Sequence, residues 1–205
     1  MIWTDGEYTP NVQQTLPNGF NLFNFNFGDV LNTDQEAVIG FDKNEHLTVH
    51  INGTEEWSSE DYYGGSLYFL VAPHDQKQFE LHYYSAFGDT MVQNIYFMPQ
   101  RIHVVDLNRD GKNEVIVVRN HDVMGHLLKR SRSFKRGFFD CLGWDNVGLA
   151  PKWKTRKFTG FISNSIIGDI DNDGQDELVF CVVHKEKGGM ALGKKSYIVS
   201  WDMNR

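Results

Sequence analysis

The chain has 205 residues, a length that suits one domain or one regular array. It carries 20 basic and 27 acidic residues, and a net charge of −7 argues against a general nucleic-acid binder. No run of about eighteen apolar residues occurs, so no membrane-spanning helix is expected.

Aromatic residues reach 14%, with 19 Gly and only 5 Pro, and no window keeps a helical period. Aromatic strands with Gly-rich turns predict an all-β fold. The opening stretch "MIWTDGEYTP" lacks the basic and apolar regions of a signal peptide. The chain is thus expected to be cytoplasmic, or a mature chain or fragment from which a signal was removed.

A first unit covers about 11–66. Its strands are "GFNLFNFNFGDV", "EAVIGFD", "HLTVHING" and "EEWSSED". A second unit covers 67–162. Residues 67–100, with "LYFLVA" and "FELHYYSAF", read as an inserted hairpin or extra strands. The unit then runs "RIHVVDL", "EVIVVRN", "RGFFDCLGW" and "APKWKTRKF". The third unit, 163–205, gives "SNSIIGDI", "ELVFCVV" and "SYIVSWD".

The units share an acidic loop. "VVDLNRDGKNEVIVV" at 104–118 aligns with "IGDIDNDGQDELVFC" at 167–181. A worn copy, "FGDVLNTDQEAVIGF", occupies 27–41 and keeps Asp29, while Leu31, Thr33 and Ala37 replace three oxygen donors. A second motif travels with the first. Trp57, Tyr62 and Gly64 have the same spacing as Trp153, Phe158 and Gly160, and Trp3 with Tyr8 is a reduced form. Strand repeats of several tens of residues predict a β-propeller-like array of about three four-stranded blades. The last unit lacks a Trp-bearing fourth strand, which the N-terminal strand could supply. Propellers typically have about four to eight blades, so a homodimer, a longer chain or an open stack would account for the rest.

The loop pattern is Asp-x-(Asp/Asn)-x-Asp-Gly-x-x-Glu. Positions one, three and five offer side-chain oxygens on one side of a tight turn, and Gly at six permits a left-handed backbone. Position seven can present its carbonyl, and Glu at nine can close the shell. Such a set of hard oxygen donors suits Ca2+. The acid at nine and the following strand exclude an EF-hand. The alternative is an Asx-rich turn without metal. For 29–37 that alternative is preferred, since Leu31 and Ala37 cannot ligate.

These residues resemble the FG-GAP, or VCBS-type, repeats that build the β-propellers of integrin α-subunits and of many exported bacterial proteins. The resemblance implies calcium held by the side chains of Asp106, Asn108, Asp110 and Glu114 with the Lys112 carbonyl. It implies a second ion on Asp169, Asp171, Asp173 and Glu177 with the Gln175 carbonyl. It further implies a periplasmic, surface or extracellular location.

Other features are weighed against plainer uses. Residues 1–128 hold 6 basic and 18 acidic residues, whereas 129–205 hold 14 and 9. Nine of the basic residues lie between 129 and 157. They could form a face for an anionic partner, but a solvated outer face is preferred. His121 and His126 lack a third metal ligand. Tyr62, Tyr63, Tyr83 and Tyr84 could line a partner surface, although blade packing is the preferred use. Cys141 and Cys181 read as buried free thiols. No hydrolase, zinc-protease or phosphate-loop motif occurs. The expectation is a non-enzymatic, calcium-stabilised module that binds a protein or glycan partner. Its rivals are a polysaccharide-acting enzyme and a purely structural domain.

Overall fold

The computed structural model describes residues 2–4, 6–9, 16–72, 94–122, 132–185 and 193–203. It is all-β: strands account for 59%, and no helix occurs among the described residues. An N-terminal hairpin pairs β1 (Ile2–Thr4) with β2 (Glu7–Thr9). The first large sheet contains β3 (Phe25–Gly28), β4 (Ala37–Phe41), β5 (His46–Ile51) and β6 (Thr54–Tyr62). A second hairpin pairs β7 (Phe69–Ala72) with β8 (Asn94–Phe97).

The second large sheet contains β9 (Ile102–Val105), β10 (Glu114–Asp122), β11 (Phe134–Trp144) and β12 (Leu149–Lys154), with the short β13 (Phe158–Thr159) also on β11. The third contains β14 (Phe161–Gly168), β15 (Glu177–Lys185) and β16 (Lys194–Asp202). Apart from β13, neighbours in sequence are antiparallel neighbours in each sheet, and none of the sheets closes on itself. The three expected strand sets therefore form, and the insertion is a hairpin at its described ends. "FELHYYSAF", with Tyr83 and Tyr84, lies outside the described residues, as does His126.

The N-terminal strand departs from expectation. β1 pairs with β2, and the third sheet has three strands among the described residues. Local features explain the hairpin: Gly6 takes a φ of 88° between the strands, and the Trp3 and Tyr8 rings meet edge to face at 4.7 Å.

Strand alternation stacks the sheets. Ala37, Ile39, Phe41, Leu47 and Val49 of the first sheet bury against Ile102, Val115, Val117 and Leu142 of the second. The opposite face of the second sheet sends Ile116, Val118, Phe139 and Cys141 against Ile162, Leu178, Phe180 and Val182 of the third. β10 is thus apolar at every position from Val115 to Val118 because both of its faces are covered. Cys141 is buried as expected, whereas Cys181 is half-buried because it points away from the second sheet.

Polar locks join the sheets. Asn26 Nδ2 donates to the Ile102 carbonyl at 2.9 Å, tying β3 to β9. His103 Nε2 lies 2.8 Å from Ser165 Oγ, tying β9 to β14. Arg119 bridges Asp61 at 2.7 Å and Asp140 at 3.3 Å, with its guanidinium over the rings of Tyr63 and Phe138. Burial raises the Asp140 carboxyl and pushes the Tyr63 hydroxyl up to about 12.

Candidate metal centre

The three loops share one backbone design. In each, the first Asp accepts two backbone N–H groups, from positions five and six. Asp106 accepts from Asp110 at 3.1 Å and Gly111 at 2.8 Å. Asp169 accepts from Asp173 at 3.1 Å and Gly174 at 3.0 Å. Asp29 accepts from Thr33 at 3.0 Å and Asp34 at 2.8 Å. Positions four and six have positive φ throughout: Arg109 and Gly111, Asn172 and Gly174, Asn32 and Asp34. The worn loop therefore keeps the turn without keeping the ligands. The first Asp and the left-handed positions set the turn, and oxygen donors are a separate property laid upon it.

The closing Glu also recurs. Glu114 Oε2 accepts from Leu107 N–H at 3.1 Å, and Glu177 Oε2 accepts from Ile170 N–H at 3.0 Å. Both side chains are buried at the start of the strand that follows the loop. The carboxylates of Asp169, Asp171 and Glu177 each bring an oxygen within 4.8 Å of the others. Oxygens arranged around a Ca2+ ion at about 2.3–2.6 Å from its centre reach that spacing. These three residues could hold a metal ion.

Asp173 is placed differently. It accepts from Gln175 N–H at 2.8 Å, and Asp110 accepts likewise from Lys112 N–H at 2.8 Å. Position five is folded onto position seven in both loops, so Asp173 is outside the acidic triad. Asn108 Nδ2 donates to Asp110 Oδ2 at 3.1 Å, and that bond, with the Lys112 N–H, holds the Asp110 carboxyl below its usual range.

The two intact loops differ in their countercharge. Lys152 of β12 places its ammonium on Glu114 Oε1, so the second sheet supplies a cation to its own loop. Glu177 has no such ion pair among the described residues. The loops are also linked in a row. Asn32 Oδ1 accepts from Asn113 N–H at 2.5 Å, and Asn113 Nδ2 donates to the Asp29 carbonyl at 3.0 Å. Arg109 then donates to the Gly174 carbonyl at 2.5 Å. The loops lie side by side at one end of the stacked sheets. Arg109, Asn113 and Lys152 were missed as part of this centre. Arg109 and Asn113 fill the variable positions of the motif, and Lys152 lies 38 residues from its partner.

The basic residues of the 129–157 segment are divided between elements. Lys135 and Arg136 lie where β11 leaves β12 and meets β13, with Arg136 opposite Thr159. Arg132 is instead paired with Glu45 and stacks on Phe97. Lys154, Arg156 and Lys157 are exposed, and Lys129 and Arg130 are outside the described residues. His121 sits exposed on β10.

No protein-family model matches this chain, and no curated protein or solved structure matches it.

Proposed function

We propose that this chain is a non-catalytic, calcium-stabilised module of the FG-GAP or VCBS kind, with its stacked sheets as blades of a propeller. The observation that carries this reading is the row of three like-built loops, one of which gathers Asp169, Asp171 and Glu177. Ca2+ supplies positive charge where like-charged carboxylates crowd. Asp169, Asp171, Asp173, Glu177 and the Gln175 carbonyl would hold one ion. Asp106, Asn108, Asp110, Glu114 and the Lys112 carbonyl would hold the other.

Because each loop joins the first two strands of a sheet, an ion there fixes strand spacing rather than performing chemistry. Ion binding to the folded chain alone stabilises it by mass action. The rigid stack would then present side chains to a protein or glycan partner of an exported protein. Tyr62, Tyr68 and Tyr96 are exposed aromatics suited to such contacts, and Lys154, Arg156 and Lys157 add charge. The test is a thermal melt of metal-stripped protein with and without added Ca2+. A rise of several degrees supports the reading, and an unchanged melt contradicts it.

A further inference from the structure

The outward face of the first sheet is covered from within the chain. Leu47 and Val49 of β5 enter the core shared with the second sheet, so Thr48 and His50 point the other way. Both are buried all the same, because residues 16–24, ahead of β3, lie on this face. The Phe20 ring meets His50 edge to face at 5.2 Å, and an added Cβ at Gly40 would come within 2.4 Å of it. Asn24 holds the segment in place. Its Nδ2 donates to the Phe41 carbonyl at 2.9 Å and to the Gly19 carbonyl at 3.2 Å, and its own carbonyl accepts from Phe41 N–H at 2.8 Å. Leu22 and Phe23 add little burial, being 85% and 52% exposed. A segment with so few anchors opens more readily than the sheet beneath it.

His50 is the titratable group under Phe20. Thr48 Oγ1 donates to the Gly40 carbonyl at 3.3 Å, so it accepts from His50 Nε2–H at 3.0 Å. That assigns the tautomer: the proton sits on Nε2, and Nδ1 carries a lone pair. Nδ1 is buried and has no hydrogen-bond partner among the described residues. Protonation there creates a buried cation whose new N–H has no acceptor, which is costly. The surrounding elements give it little relief. The segment faces it with Phe20, β4 with Val38 and Gly40, and β5 with Thr48. His46, farther along β5, is engaged with the Ser59 carbonyl at 2.8 Å. Glu55 of β6, opposite His50, is the charge that favours the protonated ring, and burial outweighs it and lowers the pKa from 6.5.

We propose that residues 16–24 form a strap that opens in acid, released by protonation of His50, and so uncovers the outward face of the first sheet. An open strap returns the ring to water and to its ordinary pKa of 6.5. The closed strap is therefore fully favoured above about pH 6.5 and loses ground as pH falls, by up to about tenfold per pH unit until the buried ring itself titrates. Opening frees Phe20 and exposes Val38, Thr48 and His50 while the core on the other side of the sheet stays closed. The device is local and uses none of the acidic loops, so it does not depend on calcium.

Amide hydrogen exchange on the full chain in chelator tests this, with each rate divided by the intrinsic rate at the same pH. The Phe41 amide, bonded to the Asn24 carbonyl, reports the strap. Its protection should fall by up to about tenfold between about pH 7.5 and 5.5. His50→Gln, neutral at every pH, should abolish that fall, and His103→Asn should leave it in place. Asn24→Ala should lower the protection at both pH values. Protection that does not change with pH overturns the proposal, and so does a fall that survives His50→Gln or vanishes in His103→Asn. Should His50→Gln not fold, the carbon-bound ring protons of wild-type His50 decide by NMR. A midpoint at or above pH 6.5 overturns the proposal, and a lower midpoint together with the loss of Phe41 protection supports it.

Discussion

Asn120 and Ile162 exchange a pair of hydrogen bonds across two sheets. Asn120 Oδ1 accepts from Ile162 N–H at 3.0 Å, and Asn120 Nδ2 donates to the Ile162 carbonyl at 2.9 Å. The same amide nitrogen donates to the Gly65 carbonyl at 2.9 Å. One side chain on β10 thus acts as a peptide surrogate, holding the start of β14 and the segment that follows β6. Opposite it, Gly137 leaves the space, since an added Cβ would come within 2.6 Å of Asn120 Oδ1 and 2.8 Å of Ile162.

Asn120→Ala should therefore destabilise the chain by about 2–3 kcal/mol, because it strands backbone groups in a partly buried junction. Asn120→Asp keeps the acceptor and loses both donors, so it should cost a comparable amount. Gly137→Ala should act on the same lock by displacing Asn120. Urea unfolding of the three variants checks this, and the costs of Asn120→Ala and Gly137→Ala should be less than additive because they break one lock.

Removal of Arg119 leaves Asp140 buried without its countercharge. Arg119→Ala should cost about 3 kcal/mol, near the value for breaking one partner of a buried pair. Arg119→Ala with Asp140→Ala should cost less than the sum of the two single changes. A double-mutant cycle on unfolding free energies measures the coupling.

His103 gives a pH signature. Burial lowers its pKa to about 4 from 6.5, with Arg101 acting in the same direction. The folded chain thus disfavours the protonated ring that the unfolded chain accepts. The neutral ring's contribution is fully present above about pH 6.5 and is lost as pH falls towards 4. That difference corresponds to at most about 3 kcal/mol. His103→Asn should flatten the fall in melting temperature over this window relative to wild type, as measured in chelator so that metal affinity does not contribute.

The worn loop offers a backbone test. Asp34 holds a φ of 59° where Gly111 and Gly174 stand in the intact loops. An added Cβ meets nothing within 4 Å at either glycine, so Gly174→Ala should cost about 1 kcal/mol through φ alone. Asp34→Gly should be near neutral, since relief of the left-handed strain offsets the added freedom of the unfolded chain. Chemical unfolding in chelator measures both.

Much of the fold was legible because its period is local. Alternating strands, the Asp-Gly turns and the continuous apolar run Val115–Val118 each follow from a short window of sequence. The repeated loop placed ten candidate ligands, and the structure gathers Asp169, Asp171 and Glu177 of them. The position-five residues Asp110 and Asp173 were indistinguishable from their neighbours in sequence, because backbone hydrogen bonding decides which way they turn. Lys152 on Glu114 and Arg109 on Gly174 join residues far apart in the chain, and no spacing rule reports such pairs. The pairing of β1 with β2 was missed because the Trp motif spoke for a distant strand while Gly6 offered a nearer partner.

Calcium at the third loop is the central claim, and titration calorimetry on metal-stripped protein tests it most directly. The wild type should bind Ca2+ with its tighter site at Asp169, Asp171 and Glu177, since Lys152 already occupies Glu114 at the other loop. Asp169→Asn with Glu177→Gln should remove that tighter site while leaving the circular dichroism in place. A wild type that gives no binding heat and no calcium-dependent melt, or a tight site that survives the double substitution, would contradict the account.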